Sequence, residues 1–189
     1  MSNTLMQRYP SFEHLEVAAR ARMPHFAWEF LDSGTGRDEA SQHNRDAFSE
    51  VRLTPRFMRG SFEPDIKTRL FDVDYDAPFG VAPVGMNGVS WPGTDLYLAQ
   101  AASQHRVPYS MSTAANETPE TLGPAAGGMG WFQLYPPRNS NIRSDLLARV
   151  KAAGFTTLLV TVDVPVISRR ERQMRAGIGG GIRITPSMV

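Results

Sequence analysis

The chain has 189 residues, a formal net charge of +1 from 20 Lys+Arg against 19 Asp+Glu, and 41% hydrophobic residues. That composition supports a buried core and excludes a collagenous, coiled-coil or wholly disordered chain. The near-zero charge balance argues against a protein built to grip a nucleic-acid backbone, and the absence of cysteine removes disulfides and thiolate metal sites, so neither a nucleic-acid partner nor a metal is expected.

No apolar run approaches the roughly 18 residues of a membrane span. The start, MSNTLMQRYPSFEHLE, has no apolar signal-peptide core, so the expected location is the cytoplasm. Only Lys67 and Lys151 of the basic residues are lysine. An arginine excess fits a GC-rich genome, and it also supplies planar forks that pair with anions. Composition leaves both readings open.

In chain order, Ser11 is placed to cap a helix running to about Met23. Pro24 interrupts it. A second helical stretch, His25 to Leu31, ends at Asp32-Ser33-Gly34-Thr35-Gly36, and another follows from Asp38 to Phe48. Val51-Arg52-Leu53 reads as a short strand, and Arg69 to Tyr75 alternates apolar and polar side chains as a small outer sheet does.

The pattern changes near residue 76. Residues 1–76 read as a helical segment with outer strands, and residues 77–189 as short buried strands alternating with helices. The strands are Phe79 to Ala82, Pro108 to Ser112, Trp131 to Leu134 and Thr157 to Val162. The intervening helices are Thr94 to Gln104, Pro119 to about Leu122, and Ile142 to Ala153 with Gly154 at its end. Strand starts at Phe79, Tyr109, Trp131 and Thr157 are spaced by 30, 22 and 26 residues, which means parallel strands joined by crossover helices. Gly177 to Gly181 reads as a loop. Neither a P-loop nor a GxGxxG lies between a strand and a helix.

Polar residues gather where the strands end. Ala82-Pro83-Val84-Gly85 follows the first, Ser112-Thr113 the second, Gln133 and Tyr135 belong to the third, and Thr161 and Asp163 close the fourth. In a parallel β/α barrel the C-terminal strand ends converge on one site. A glutamine inside Trp-Phe-Gln-Leu-Tyr would otherwise be a costly insertion into a core strand. Any one of these residues could be a satisfied core polar group; four at corresponding positions are harder to explain that way.

These motifs, in this order, resemble the FMN-dependent α-hydroxy-acid dehydrogenases and oxidases, which include glycolate oxidase, L-lactate dehydrogenase and mandelate dehydrogenase. The resemblance runs through Asp32-Ser33-Gly34, Asn44-Arg45-Asp46-Ala47-Phe48 and Ala82-Pro83-Val84-Gly85-Met86. It continues through Ser112-Thr113-Ala114, Phe132-Gln133-Leu134-Tyr135, Thr161-Val162-Asp163-Val164-Pro165 and Arg169-Arg170-Glu171. Gly85-Met86-Asn87-Gly88 through Asp95 points toward the mandelate dehydrogenase branch. The fold so implied is the N-terminal half, about four β/α units, of a TIM (β/α)8 barrel preceded by a helical segment.

The resemblance also assigns roles. Pro83, Val84 and Gly85 match the loop whose backbone lies against the flavin, where a small residue at 85 suits a flat ring. Ser112, Gln133 and Thr161 match side chains that hydrogen bond the isoalloxazine edge of FMN. Tyr135 matches a phenol at the reacting centre, Asp163 a carboxylate supporting the catalytic histidine, and Arg170 an arginine holding the substrate carboxylate. From the residues alone, Arg170 could equally be a surface member of the run Arg169-Arg170-Glu171-Arg172.

Two departures accompany these matches. Phe30 stands where the family usually has a tyrosine contacting the substrate carboxylate, a loss of about 1 kcal/mol for one hydrogen bond. A β/α barrel typically needs about 250 residues, and the family's base histidine and second carboxylate arginine have no match here. His14, His25, His43 and His105 all read as surface or helix residues. The expectation is an N-terminal part of an enzyme oxidising a 2-hydroxy acid (lactate, glycolate or mandelate type) to the 2-oxo acid, inactive as this chain alone. The alternative is a non-catalytic or split half-barrel that binds FMN or pairs with a separate C-terminal chain. The acceptor of electrons (oxygen, quinone or cytochrome) stays open, and complete relatives are expected to be homo-oligomers. Peripheral membrane association also stays open, since some relatives attach through the loop after the fourth strand.

Overall fold

The computed structural model describes residues 3–162 and 168–178. Four helices come first: α1 (Asn3–Arg8), α2 (Phe12–Arg20), α3 (His25–Asp32) and α4 (Glu39–Glu50). The strands β1 (Thr68–Leu70) and β2 (Val73–Tyr75) precede α5 (Asn87–Ser90) and α6 (Thr94–Gln104). Then β3 (Tyr109–Ser112), α7 (Pro119–Ala126), β4 (Gly130–Leu134), α8 (Ser140–Ala152), β5 (Thr157–Val160) and α9 (Glu171–Arg175) follow. They fall into two compact units, one of Met1–Thr54 with Ile167–Val189 and one of Pro55–Val166.

In the first unit, Ser11 stands at the N-cap of α2, but its hydroxyl meets His14 Nδ1 at 2.8 Å rather than capping the backbone. Pro24 occupies the N-cap of α3, and Ala27 and Trp28 on that helix are buried. Asp38, in the left-handed region at φ 66°, opens α4. Its carboxylate accepts the Gly34 amide at 2.6 Å, closing the Asp-Ser-Gly turn onto the next helix. The helix α9 packs against α3.

In the second unit, β3, β4 and β5 form a parallel sheet in that order, joined by α7 and α8. Strand alternation decides what each side receives. Tyr109, Met111, Phe132 and Leu134 join Ala99, Ala102, Leu122, Ala126 and Val150 of α6, α7 and α8 in the hydrophobic core. The opposite side carries the polar set Ser110, Ser112 and Gln133 together with Trp131. Parallel strands with crossover helices, and polar residues on the side away from the helices, are the architecture of a partial β/α barrel.

Close packing between crossovers depends on Gly123 of α7. A Cβ built there would be driven into the Ala153 carbonyl and stand 2.9 Å from Ala153 Cβ. At the starting end of β4, Trp131 Nε1 donates to Tyr75 Oη at 2.8 Å, and its ring meets Phe71 and Tyr75 edge-on. On β5, Leu158 and Val160 pair in register with Phe132 and Leu134 and remain exposed.

Four details differ from the sequence expectation. Val51-Arg52-Leu53 is not a strand: Leu53 is 92% exposed, and the segment has no ladder partner among the described residues. The run Arg69 to Tyr75 is two antiparallel strands around a turn with positive φ at Phe71 and Asp72. Phe79 to Ala82 reduces to one parallel bridge, Val81 to Tyr109, because Pro83 on one strand and Pro108 on the other lack the amides that the next ladder bonds require. The charge run after Arg170 is the helix α9. Asp163 and Gly179 to Gly181 lie outside the described residues. No helix among the described residues is long and apolar enough to cross a membrane.

Candidate functional site

The polar strand ends of the second unit are joined into one row. Ser112 Oγ donates to Gln133 Oε1 at 3.0 Å, and Gln133 Nε2 donates to Thr161 Oγ1 at 2.6 Å. Gln133 is only 4% exposed, and these bonds engage both polar ends of its buried amide. The register makes the row: Ser112 lies opposite Gln133, and Gln133 opposite Leu159, two residues before Thr161. Thr113 extends the tie, its hydroxyl donating to the Gln133 carbonyl at 2.6 Å and accepting the Tyr135 amide at 3.0 Å. Tyr135, just past β4, is 49% exposed, and its phenol is available to a ligand.

The loop after Val81 lies at the same end. Met86 N donates to Ala114 O at 2.8 Å, bringing the loop onto the residues that follow β3. A Cβ at Gly85 would stand 3.0 Å from Ala114 Cβ and 3.6 Å from Ser112 Oγ, so bare backbone is what fits there. Pro83 and Val84 beside it are exposed.

Hydrogen-bonding capacity remains after these contacts. Gln133 keeps a second N–H and Thr161 keeps its hydroxyl proton. Rigid strands thus present donors and acceptors beside an exposed backbone loop, an arrangement suited to the edge of a flat heteroaromatic ring. The sequence expectation for Pro83, Val84, Gly85, Ser112, Gln133, Tyr135 and Thr161 therefore places all seven in one unit, with Ser112, Gln133 and Thr161 in direct contact.

Phe30 and Arg170 belong to the first unit. Phe30 is half-buried on α3. Arg170 makes a parallel bridge with Gly36, and its Nη1 donates to Ser33 O at 3.5 Å. Its neighbour Arg172, which sequence reading left in a charge run, is the stronger structural element. Arg172 meets Glu29 Oε2 at 2.6 Å, Asp32 Oδ2 at 2.7 Å and Asp38 Oδ2 at 2.9 Å. The ion pair with Glu29 and the hydrogen bonds to Asp38 and Asp32 push the guanidinium pKa well above its ordinary range. The same contact, with the Gly34 amide, holds the Asp38 carboxyl below the ordinary aspartate value.

The sequence reading also missed Asp95, Asn87 and Asn116. Asp95 accepts from Asn87 Nδ2 at 2.8 Å and from the Asn116 amide at 3.1 Å. Burial, with Asp95 adding to it, pushes the Tyr109 phenol above its ordinary range. An acidic residue directly after the Thr94 helix start was the available signal.

The family model for FMN-dependent dehydrogenases matches residues 19–189. An L-lactate dehydrogenase of Vibrio parahaemolyticus is 34% identical over 164 residues, 87% of this chain and 43% of that protein. One from Pseudomonas putida shows the same figures. A crystal structure of mandelate oxidase superposes with a TM-score of 0.84 at 33% identity, covering 96% of this chain and 51% of that one. A point mutant of an active chimera of (S)-mandelate dehydrogenase superposes with a TM-score of 0.83 at 30% identity, covering 93% and 48%. The chain spans about half the length of the proteins it matches.

Proposed function

Because the chain belongs to the FMN-dependent dehydrogenase family, we propose that it supplies the flavin-binding strand ends of an enzyme that oxidises a small 2-hydroxy acid to the 2-oxo acid. The observation that carries this reading is the hydrogen-bonded row Ser112–Gln133–Thr161 across three parallel strand ends, next to the loop at Gly85. The residues present fit FMN. Ser112, Gln133 and Thr161 would hold the polar edge of the ring, and the backbone of Pro83, Val84 and Gly85 would lie against it. When bound, FMN accepts the equivalent of a hydride from the carbon bearing the hydroxyl.

The other residues act on the substrate. The Tyr135 phenol donates or accepts a hydrogen bond at the reacting centre. By the family resemblance, Arg170 would offer a planar fork to the substrate carboxylate, and Phe30 would lack the hydroxyl that adds one hydrogen bond there. By the same resemblance, Asp163 would support the histidine that takes the substrate proton. Lactate, glycolate and mandelate share the carboxylate and the α-hydroxyl this set addresses. The curated relatives are named for L-lactate and the solved structures for mandelate.

The chain joined to a C-terminal half that carries the base histidine and the second arginine, loaded with FMN and mixed anaerobically with L-lactate, glycolate and mandelate in turn, should lose flavin absorbance with at least one of them, and the chain alone with none. Unchanged absorbance with all three overturns the substrate class. Absence of any FMN-dependent spectral change overturns the cofactor.

A further inference from the structure

We infer that Asp95 is a positioning residue for the loop that faces the flavin, a buried carboxylate that fixes how Val84 and Gly85 lie over the end of β3. What the loop faces rests on the FMN reading above; how the loop is held does not. Asp95 is the second residue of α6 and is 2% exposed. Its Oδ1 accepts from Asn87 Nδ2 at 2.8 Å, and the same nitrogen donates to the Val84 carbonyl at 3.2 Å. Its Oδ2 accepts the Asn116 amide at 3.1 Å, and Asn116 Oδ1 accepts the Gly88 amide at 2.7 Å.

These bonds form a circuit from the Val84 carbonyl through Asn87, Asp95 and Asn116 to the Gly88 amide. The circuit encloses Gly85, the point of close approach to Ala114, and Met86, whose backbone sits at φ 55°. A non-glycine residue holds that conformation only where its surroundings over-determine it. The circuit and the Met86 N to Ala114 O bond supply that determination.

The chemistry explains why a carboxylate occupies position 95. Both arms of the circuit bring a donor to it, so the residue must accept twice. Asparagine has nearly the same volume but one acceptor and one donor group. Asp95→Asn therefore turns an N–H against either Asn87 Nδ2 or the Asn116 amide while leaving the packing filled.

The test is Asp95→Asn in the full chain, followed by residue-resolved amide hydrogen exchange and by FMN titration. The Met86 and Gly88 amides should exchange about tenfold faster or more, while Met111 and Phe132 on β3 and β4 change less than about threefold. The dissociation constant for FMN should rise about tenfold, with an altered visible flavin circular dichroism. Unchanged exchange at Met86 and Gly88 overturns the proposal, as does an equal rise through β3 and β4, which would make Asp95 a general stability residue. Faster local exchange with unaltered FMN affinity overturns its role toward the flavin. A wild-type chain without any FMN response overturns the cofactor reading instead, and the exchange arm still decides how the loop is held. Should Asp95→Asn fail to fold, Asn87→Ala removes the arm to Val84 and must speed exchange at Met86; unchanged exchange there overturns the proposal.

Discussion

Gln133 reaches across to the neighbouring strand end, where its Nε2 donates to Thr161 Oγ1 at 2.6 Å. With Ser112 Oγ at the other end of the amide, both polar ends of the glutamine are held by hydroxyls, each of which can donate or accept.

Replacing Gln133 by leucine separates ligand binding from folding. The apolar side chain fills the same space, but the Ser112 and Thr161 hydroxyls lose their partner, at a cost of about 1 to 2 kcal/mol. Urea unfolding should show a cooperative transition at a lower midpoint, with an FMN response absent. Retention of wild-type FMN affinity in this variant would remove the row from the cofactor site.

Arg172→Leu should destabilise the first unit far more than Arg170→Leu. The former leaves Glu29 buried without its cation and Asp32 and Asp38 facing one another. The expected loss is roughly 2 to 3 kcal/mol, discounted from a fully buried pair because Arg172 is 34% exposed. Arg170→Leu should cost under about 1 kcal/mol. Denaturant midpoints of the two variants check the ranking.

Gly123→Ala should lower stability by about 2 kcal/mol or more, because the new methyl meets the backbone of Ala153 rather than a side chain that can swing away. Gly128→Ala provides the contrast. Nothing lies within 4 Å of a Cβ there, so its cost comes only from the positive φ of 83°. Thermal unfolding of both variants separates crowding from backbone conformation.

Acid should weaken the join between α7 and α8. Glu120 takes two hydrogen bonds from Arg149, at 2.7 and 3.0 Å, which bring its carboxyl down to about 2. A depressed carboxyl contributes stability above its unfolded value, lost as pH falls through the folded one. Glu120→Gln should therefore lower the melting temperature near pH 7, and the gap from wild type should close between the ordinary glutamate value and about 2. High salt should narrow the gap too, since the pair is exposed.

Much of the second unit was legible because its elements carry their own signals. Thr94 to Gln104 begins and ends where the sequence places it, and Tyr109, Trp131 and Thr157 open or enter strands that pair as the spacing implies. The polar residues at Ser112, Gln133 and Thr161 stood out against apolar neighbours. Arg172 did not, since its partners Asp38, Asp32 and Glu29 lie 134 or more positions away in the chain and no local period marks them. Asp95 was hidden differently: within Thr94 to Gln104 it reads as an ordinary first-turn acid, while the buried carboxylate works through two loops. Phe79 to Ala82 has strand composition, yet the missing amides of Pro83 and Pro108 leave it one bridge.

The most direct test of the flavin site follows the side-chain amide of Gln133 by nuclear magnetic resonance during titration of the chain with FMN. The Gln133 side-chain N–H signals and the backbone amides of Gly85, Ser112 and Thr161 should shift together along one saturable curve, while the amides around Arg172 stay in place. Shifts confined to other residues, or none at these four positions at saturating FMN, would contradict it.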